Sequence, residues 1–294
     1  MDVAQVRSFN RTVTQRAGAL DDEYLTRDRS LGQSRVLWEI GAEGMDVRTL
    51  RARLDLDSGY LSRLLRSLET AGLVTVEANP ADGRVRTARL TEAGLAERAE
   101  LDRLSDEAAA SILHPLSERQ RNRLVAAMAE VERLLVASSV RIAPCDPRHP
   151  DARFCLATYF AELARRFEDG YDPGEALPVE DDEVTPPAGV MLVATLHAEP
   201  VGCVCLKLHG DEPAELKRMW VAGTVRGLGV GRRLLAESEA YAMARGVRAL
   251  RLETNRVLNE AIGLYRSAGF REIPPYNAER YAHHWFEKDL PNTA

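Results

Sequence analysis

Apolar residues in the first half of the chain recur every three to four positions, which is the periodicity of amphipathic helices. Ser58 is a suitable N-cap for the fourth predicted helix, and Gly72 is a suitable residue to follow its last turn. The predicted helices are Val3–Leu20, Ser34–Gly41, Asp46–Leu54, Ser58–Ala71, a long polar helix that opens at Thr91 and is interrupted by Pro115, and Glu118–Ser138.

A hairpin follows the fourth predicted helix. Val74–Glu77 and Val85–Leu90 alternate between apolar and polar residues on either side of the turn Asn79–Gly83. Two helices, a tight turn between them and a hairpin after them form a winged helix-turn-helix, in which the second helix enters the major groove of DNA. The candidate DNA-binding residues are Ser58, Tyr60, Ser62, Arg63 and Arg66 on the helix, with Asp82, Arg84 and Arg86 on the hairpin.

The second half of the chain mixes the two periodicities, so we expect a separate α/β domain. A Pro-rich segment, Ile142–Pro150, is the predicted junction, which gives domains at residues 1–138 and 140–294. The predicted strands are Val190–Leu196, Gly202–Leu208, Leu216–Val221, Ala249–Glu253 and Arg280–Glu287, and the predicted helices are Asp151–Glu168, Gly231–Ala244 and Asn259–Ala268.

A glycine-rich turn lies between a predicted strand and a predicted helix, over Arg226–Gly231. Bare amides at a helix start bind phosphate, and glycine lets the backbone approach it closely. The spacing G-x-G-x-G lacks the last glycine of a dinucleotide fingerprint. No Gly-Lys-Ser/Thr follows, which excludes a P-loop. A coenzyme A pyrophosphate loop and a purely structural turn remain.

The segments Ser58–Glu69, Ala71–Val74, Asp82–Arg84 and Arg89–Gly94 together resemble the MarR family, over residues 1–138. Gly83 departs from the family pattern, which often has a second arginine there. The resemblance implies a mainly α winged helix-turn-helix domain that binds a short inverted repeat in duplex DNA as a homodimer, paired through its first and last helices. A winged helix that mediates only protein contacts is the alternative.

The segments Glu215–Leu235 and Asn259–Phe270 together resemble the GNAT superfamily, over residues 140–294. The resemblance implies an α/β fold with a mixed, mostly antiparallel sheet and an acetyl-CoA-dependent N-acetyltransferase whose acceptor is a small-molecule amine or a protein amino group. A non-catalytic domain that senses acetyl-CoA or a small molecule for a transcription factor is the alternative.

The GNAT resemblance also implies roles for individual residues. Tyr265 protonates the departing thiolate, unless it is a core tyrosine, and Glu215 is the general base, unless it is a salt-bridge partner of Lys217. Strand alternation predicts that Glu215, Lys217, Met219 and Val221 share one face. The coenzyme contacts are Val221, whose amide binds the thioester carbonyl, the amides of Arg226, Gly227, Leu228, Gly229, Val230 and Gly231, and Arg232 and Asn259.

Composition adds limits to this picture. The 294 residues suit two domains, and the net charge of −6 is an average over both. Residues 1–140 hold 20 Arg and no Lys against 22 Asp plus Glu, and a DNA-binding half with that balance must gather its arginines on one face. We expect no membrane span, a cytoplasmic location and no metal site, because apolar runs are short and the four cysteines form no CxxC pair. The acidic segment Glu168–Glu183 is expected either to attract a cationic acceptor or simply to be solvated.

Overall fold

The computed structural model describes residues 2–18, 25, 28–79, 82–168 and 170–291, and the side chains of these residues except 79 and 82–84. The chain divides into two compact units, Met1–Ala129 and Glu130–Ala294. Within the described ranges, no helix is both long and apolar enough to cross a membrane.

The first unit is mainly helical and carries a small sheet with the strand order β1-β3-β2. Its core contains Val36, Leu37, Leu50, Leu61 and Leu68, which come from three successive helices and are almost fully buried. The elements are α1 (Val3–Arg16), α2 (Leu31–Ile40), β1 (Met45–Asp46), α3 (Val47–Leu54), α4 (Ser58–Thr70), β2 (Val74–Asn79), β3 (Asp82–Leu90), α5 (Glu92–Leu113) and α6 (Glu118–Ser139), which runs past the division between the units.

Several predicted helix ends differ from the structure by a few residues, and one predicted capping residue is wrong. The N-cap of α4 is Asp57 and not Ser58, since the Asp57 carboxylate accepts a hydrogen bond from the Tyr60 amide at 2.9 Å. A carboxylate one residue earlier fills the capping position and leaves Ser58 as the first helical residue. Helix α1 ends at Arg16, and residues 19 and 20 of the predicted Val3–Leu20 lie outside the described residues.

The second unit is a seven-stranded sheet with the order β4-β5-β6-β7-β8-β10-β9. Its neighbours pair antiparallel except for β7 and β8, which confirms the expected mixed, mostly antiparallel sheet. The elements are β4 (Arg141–Pro144), α7 (Pro150–Arg166), β5 (Gly189–Leu196), β6 (Glu199–His209), β7 (Glu212–Val221), α8 (Val230–Met243), β8 (Ala249–Thr254), α9 (Asn259–Ser267), β9 (Arg271–Ile273) and β10 (His284–Asp289).

The segment predicted as a junction is part of this sheet. Residues 141–144 form β4, which pairs with β5 from Arg141 opposite Thr195 to Pro144 opposite Leu192. Proline is tolerated in β4 because the strand lies at the edge of the sheet, where one side of the backbone needs no donor. The last strand also begins later than expected, at His284, and the short strand β9 was not predicted.

Helices cover both faces of the sheet. Leu234 of α8 and Ile262 of α9 pack in the larger core, with the alternating residues Val190, Leu192 and Ala194 of β5. Helix α7 packs on the opposite face, where Cys155 and Leu156 contact the remaining residues of the same strands. This two-sided cover leaves the strand ends as the places where a site can open.

A β-bulge in β7 contradicts the expectation that Glu215, Lys217, Met219 and Val221 share one face. The pairing with β6 shifts between Cys203 and Cys205, whose partners are Trp220 and Lys217, so Arg218 and Met219 together oppose Val204. Arg218 has a left-handed backbone with φ +52°. An extra residue reverses the alternation beyond it, so Leu216 and Val221 pack in the α8 core whereas Trp220 packs on the α7 side.

Candidate functional site

The central parallel strands separate soon after they meet. Strands β7 and β8 pair only at Ala214 with Leu250 and at Glu215 with Arg251, and β7 continues to Val221 without this partner. Two cavities lie beside the unpaired end of β7, with volumes of about 450 Å³ and about 110 Å³. Tyr159, Met219 and Tyr265 line both of them, so the two cavities are neighbours.

The larger cavity contains the glycine-rich turn and the start of α8. Gly227 and Gly229 have φ of +78° and +77°, and a Cβ atom on either would meet nothing within 4 Å. Gly229 is the N-cap of α8 and supplies no side-chain hydrogen bond; the bond from the Arg233 amide to the Gly229 carbonyl is 3.0 Å. The amides of residues 229–232 therefore precede the first intrahelical donor and have the geometry of an anion site.

Two of the predicted amide donors have partners in the turn itself. The amide of Arg226 donates to the carbonyl of Gly223, and the amide of Leu228 donates to the carbonyl of Val225, both at 3.3 Å. The Leu228 side chain packs against the core. Within the predicted loop, the backbone donors that remain for a ligand are those of Gly227 and of the α8 start.

Arg226 contributes through its side chain, which the sequence pattern did not indicate. Its Nε donates to the carbonyl oxygen of Val221 at 3.1 Å, and its Nη2 donates to the carboxylate of Glu162 at 2.6 Å. Although burial opposes ionisation, hydrogen bonds from Arg226, Arg166 and Trp220 hold the pKa of Glu162 below its ordinary value. Glu162 on α7 thus fixes the turn to the end of β7.

The orientation of Val221 fits the predicted carbonyl-binding role. The next residue, Ala222, donates its amide to the Val201 carbonyl on β6 at 2.8 Å. Successive amides of a strand point to opposite edges, so the Val221 amide points away from β6, toward the side where β8 has separated. Its carbonyl points the same way, as the bond from Arg226 Nε shows.

Gly231 and Arg232 hold α8 and α9 together at the cavity wall. A Cβ atom on Gly231 would lie 3.1 Å from Leu264 and 3.4 Å from Met219, so a larger residue would separate these elements. The Arg232 side chain donates to Ser267 Oγ at 2.8 Å. A direct contact of Arg232 with a ligand would therefore use its backbone amide.

Tyr265 is 7% exposed and lies where the two cavities meet. Its hydroxyl is 3.9 Å from the Met219 sulfur, a weak acceptor. Burial, with the charge of Glu253, raises the pKa of Tyr265. The hydroxyl consequently stays protonated over the whole neutral range and is available as a proton donor.

Glu215 does not line either cavity. Its carboxylate is 3.7 Å from Lys217 Nζ and 3.6 Å from His209 Nε2, so the alternative role as a salt-bridge partner of Lys217 has direct geometric support. Lys217 lines the smaller cavity and makes a close ion pair with Glu253, which also lines it. Glu253 was missed because a carboxylate near the end of a β-strand carries no motif by itself.

Asn259 is the first residue of α9, is exposed, and lies outside the lining of both cavities. The neighbouring residues Leu258, Glu260 and Ala261 line the larger cavity instead. The helical turn directs the Asn259 side chain to solvent, which the sequence motif alone could not show.

In the first unit, α4 has two different faces. Leu61, Leu64, Leu65 and Leu68 are buried in the core, whereas all five predicted contact residues of the helix are exposed. The Arg63 guanidinium lies 5.6 Å from the Tyr60 ring centroid. Arg86 on β3 is also exposed, while the side chains of Asp82 and Arg84 lie outside the described part of the structure. The exposed residues of α4 are Ser58, Tyr60, Ser62, Arg63 and Arg66.

Comparison with known families agrees with both arrangements. The sequence profile of the MarR family matches residues 27–85, and that of the Acetyltransferase (GNAT) family matches residues 156–270. These matches give a MarR family domain at residues 27–85 and a GNAT acetyltransferase domain at residues 156–270. Both resemblances inferred from the sequence motifs are thereby confirmed.

Individual relatives of the GNAT domain match a limited part of the chain. An uncharacterized N-acetyltransferase of Schizosaccharomyces pombe is 38% identical over 93 residues, which are 31% of this chain and 57% of that protein. An IAA acetyltransferase of Azospirillum brasilense is 41% identical over 86 residues, or 29% of this chain and 56% of that protein. This chain thus spans about half the length of these relatives.

A solved structure also matches the GNAT domain. The crystal structure of a GNAT family acetyltransferase from Staphylococcus aureus Mu50 is 18% identical, covers 52% of this chain and 99% of that chain, and superposes with a TM-score of 0.44.

The acidic segment of the GNAT domain is largely neutralised by basic side chains. Asp181 pairs with Arg153, and Asp182 with Arg148 at 2.8 Å. Further ion pairs join Glu183 to Lys207, Glu175 to Arg280 and Glu168 to Arg256, while Asp169 lies outside the described residues. Paired carboxylates exert a weak net field on an approaching cation.

Proposed function

We propose that the GNAT domain transfers an acetyl group from acetyl-CoA to an amine, and that the MarR domain binds duplex DNA as a homodimer. The observation that carries the first part is the junction of the two cavities at Tyr265. The larger cavity offers bare helix amides for a phosphate, and the smaller one lies on the other side of the same hydroxyl.

The residues of the larger cavity fit a coenzyme pyrophosphate. The space outside Gly227 and Gly229 is open, and the amides at the start of α8 have no intrahelical acceptor. A helix N-terminus favours an anion through its dipole as well as its donors. The amides of Gly227 and of residues 229–232 hold the pyrophosphate.

Acetyl-CoA supplies a thioester that a neutral amine can attack, with release of a thiolate. The Val221 amide donates to the carbonyl oxygen and stabilises the negative charge that develops on it. The Tyr265 hydroxyl donates its proton to the departing sulfur, whose conjugate acid resembles a free thiol with a pKa near 8.5. The buried position of Tyr265 keeps water from competing for that proton transfer.

An alkylammonium acceptor has a pKa near 10.4 and must lose a proton before it attacks. We propose that a carboxylate on the α7 side of β7 and β8, that of Glu253 or Glu215, accepts this proton. Glu253 lines the acceptor cavity, and Glu215 lies behind it, 3.7 Å from the Lys217 nitrogen that also binds Glu253. Glu253→Gln and Glu215→Gln, compared at equal protein concentration, identify which of the two limits turnover at neutral pH.

The DNA-binding part of the proposal uses the exposed face of α4 and the β2–β3 hairpin. Arginine and short polar side chains at such a helix reach base edges and phosphates. Helices α1 and α6 bury none of their residues within the chain, yet both expose apolar side chains. Apolar helix faces of this kind mark protein contact sites, and we assign them to a second copy. The exposed apolar residues are Val3, Val6, Phe9, Val13, Val125, Met128, Leu134 and Leu135.

Coenzyme A release from acetyl-CoA over a panel of small amines and amino-group peptides, with products identified by mass spectrometry, tests the enzymatic part. Calorimetric binding of acetyl-CoA is measured on the same protein. Binding with turnover supports the proposal, whereas binding without turnover of any acceptor would favour a sensor. Light scattering and fluorescence anisotropy with inverted-repeat duplexes test the dimer and its DNA binding.

A further inference from the structure

The charged side chains that line the smaller cavity of the GNAT domain differ in whether they have hydrogen-bond or ion-pair partners. Among the described residues, four charged side chains line it: Lys217, Arg218, Glu253 and Glu279. Lys217 is neutralised by Glu253. Glu253 also accepts a hydrogen bond from the Tyr276 hydroxyl at 2.7 Å. Glu279 accepts the backbone amides of Leu177 at 2.8 Å and Tyr281 at 3.3 Å.

Arg218 is the exception among these four. Within the described part of the chain, no carboxylate oxygen lies within 4.0 Å of its guanidinium. The group is half-buried and lies 5.2 Å from the centroid of the Phe160 ring. Stacking on a ring orients a guanidinium and leaves its edge donors available.

The backbone at Arg218 has an unusual conformation. Arg218 is the left-handed residue of the β7 bulge, and it opposes Val204 together with Met219. A bulge re-aims a side chain relative to a regular strand, and bulges are common beside active sites. In a regular strand Arg218 would share the face of Leu216, which packs in the α8 core; the bulge instead places it at the cavity wall on the α7 side.

We propose that Arg218 binds a carboxylate of the acceptor, so that the acceptor is a small primary amine bearing a carboxylate. This inference rests on the proposed acetyl transfer and names its substrate class. An arginine fork matches the two oxygens of a carboxylate, and each charged hydrogen bond is stronger than a neutral one. The cavity volume of about 110 Å³ limits the bound group to a few heavy atoms, since a cavity of about 150 Å³ holds one benzene.

A polyamine acceptor fits the same wall poorly. Both carboxylates in the lining already accept donors, from Lys217 and Tyr276 in one case and from two backbone amides in the other. The cation without a carboxylate partner is Arg218, and it would repel a second ammonium group. The formal charges of the lining balance, but Arg218 is the charged side chain there that has no hydrogen-bond or ion-pair partner among the described residues, and it favours an acceptor that brings an anion.

The test compares matched acceptors on the full chain with acetyl-CoA. Glycine, L-alanine and β-alanine are each measured beside the corresponding carboxamide, by coenzyme A release and by calorimetric binding to the coenzyme-loaded protein. We expect at least one carboxylate to exceed its carboxamide by about tenfold or more in kcat/KM. Arg218→Gln should remove about 10–100-fold for that carboxylate, the value of one or two charged hydrogen bonds, and leave the carboxamide and acetyl-CoA binding within a few-fold.

Two further variants keep the result interpretable. Arg218→Lys retains the charge and should recover part of the lost carboxylate affinity. Arg245→Gln removes an exposed arginine at the end of α8 and should behave like the parent protein. Thermal unfolding of all variants shows whether each has kept its fold.

The outcomes separate this inference from the proposed function. If no compound is acetylated but a carboxylate binds in an Arg218-dependent way, acetyl transfer fails and the carboxylate site is supported. If carboxylates and carboxamides are used equally, or if Arg218→Gln weakens both alike, acetyl transfer stands and the carboxylate site is overturned. If no carboxylate either binds or reacts, the carboxylate site is also overturned.

Discussion

Helices α4 and α8 both begin where we propose that a phosphate-bearing ligand binds, and they begin in opposite ways. Asp57 fills the capping position of α4 with a carboxylate that accepts the Tyr60 amide. Gly229 fills that of α8 with no side chain at all. The capped helix has its Tyr60 amide occupied and a negative charge at its start, so we assign its proposed DNA contacts to side chains. The uncapped helix keeps its amides for the ligand.

The two helix starts suit the two different phosphate ligands of the proposed function, a coenzyme and duplex DNA. A bare helix start binds a compact anion at a fixed position through the backbone. A capped helix with exposed arginines can follow an extended phosphate backbone and reach base edges.

Removing the Tyr265 hydroxyl should slow turnover without weakening acetyl-CoA binding, because we assign coenzyme affinity to the backbone amides of α8. Tyr265→Phe keeps the ring and removes the hydroxyl. Turnover should fall by about 10²–10⁴-fold, the usual contribution of a positioned acid, while acetyl-CoA affinity changes by no more than a few-fold. Steady-state rates and calorimetry on the same preparation measure both. Turnover close to that of the parent protein would assign the protonation to solvent.

A carboxylate at the start of α8 should occupy or repel the site that we assign to the pyrophosphate, as Asp57 occupies the capping position of α4. Gly229→Asp places a negative charge beside the amides that we assign to the pyrophosphate. Loss of one or two charged hydrogen bonds, each about 1.5–3 kcal/mol, should weaken acetyl-CoA binding about 10²-fold. Calorimetric titration measures the change.

Gly246→Asp is the matched control for this variant. Gly246 has φ +78°, close to that of Gly229, and a Cβ atom there would also meet nothing within 4 Å. It follows α8 and lies outside both cavity linings. Equal loss of affinity in the two variants would attribute the effect to backbone strain, and the assignment of the α8 amides would fail.

The assignment of side-chain recognition to α4 is tested at Arg63. Arg63→Gln should lower the affinity for an inverted-repeat duplex by about tenfold and reduce the dependence of log K on log salt by about one unit if the contact is to a phosphate. Fluorescence anisotropy over a salt series gives both quantities. Arg103→Gln removes an exposed arginine of α5 that pairs with Glu100, and it should leave the salt dependence unchanged.

The proposed dimer should depend on the apolar face of α1. Phe9→Glu puts a charge among the exposed residues Val6 and Val13 without disturbing a buried side chain. The dimer should dissociate at micromolar protein, and affinity for the two-half-site duplex should fall about tenfold. Light scattering and anisotropy measure these. Arg11→Glu on the same helix changes charge outside the stripe, and a comparable loss in that variant would argue against an apolar interface.

The smallest effect is expected at the α4 cap itself. Asp57→Ala leaves the first amides of α4 without a side-chain acceptor, which should lower the free energy of unfolding of the MarR domain by about 1 kcal/mol. Urea unfolding followed by hydrogen exchange of the α4 peptides measures this. Glu69→Ala, near the other end of α4, is the control. If the two variants are equally stable, the Asp57 cap contributes nothing measurable.

Features that depend on local backbone geometry could be predicted from the sequence. Side-chain positions that depend on strand register or on the packing of distant elements could not. The glycine turn and the following helix were found because glycines at positive φ mark their own positions. The prediction that Met219 and Val221 share the face of Glu215 was wrong because one extra residue at Arg218 reverses strand alternation, and an arginine carries no bulge signal. Glu162 was missed for a related reason: it meets Arg226 across 64 residues, which only the packing of α7 on β7 brings together.

Asp57 and Asn259 show the same limit at smaller scale. Asp57 and Ser58 are both good capping residues, so capping preference alone did not decide between them, and the structure has Asp57 at the capping position. Asn259 lies in a matched motif, yet the helical rotation at the start of α9 turns its side chain outward. A one-residue rotation decides which side chain meets the ligand, and sequence motifs do not resolve it.

The bond from Arg226 to the Val221 carbonyl joins the two parts of the acetyl-transfer site before any ligand arrives. Glu162 holds the same guanidinium from the other side. The dipoles that we assign to the thioester are thus already oriented, and the free energy of orienting them is provided during folding rather than during each proposed catalytic cycle. The proposed preorganisation therefore rests on a linkage of three residues, Glu162, Arg226 and Val221, of which only Val221 is assigned a contact with the thioester.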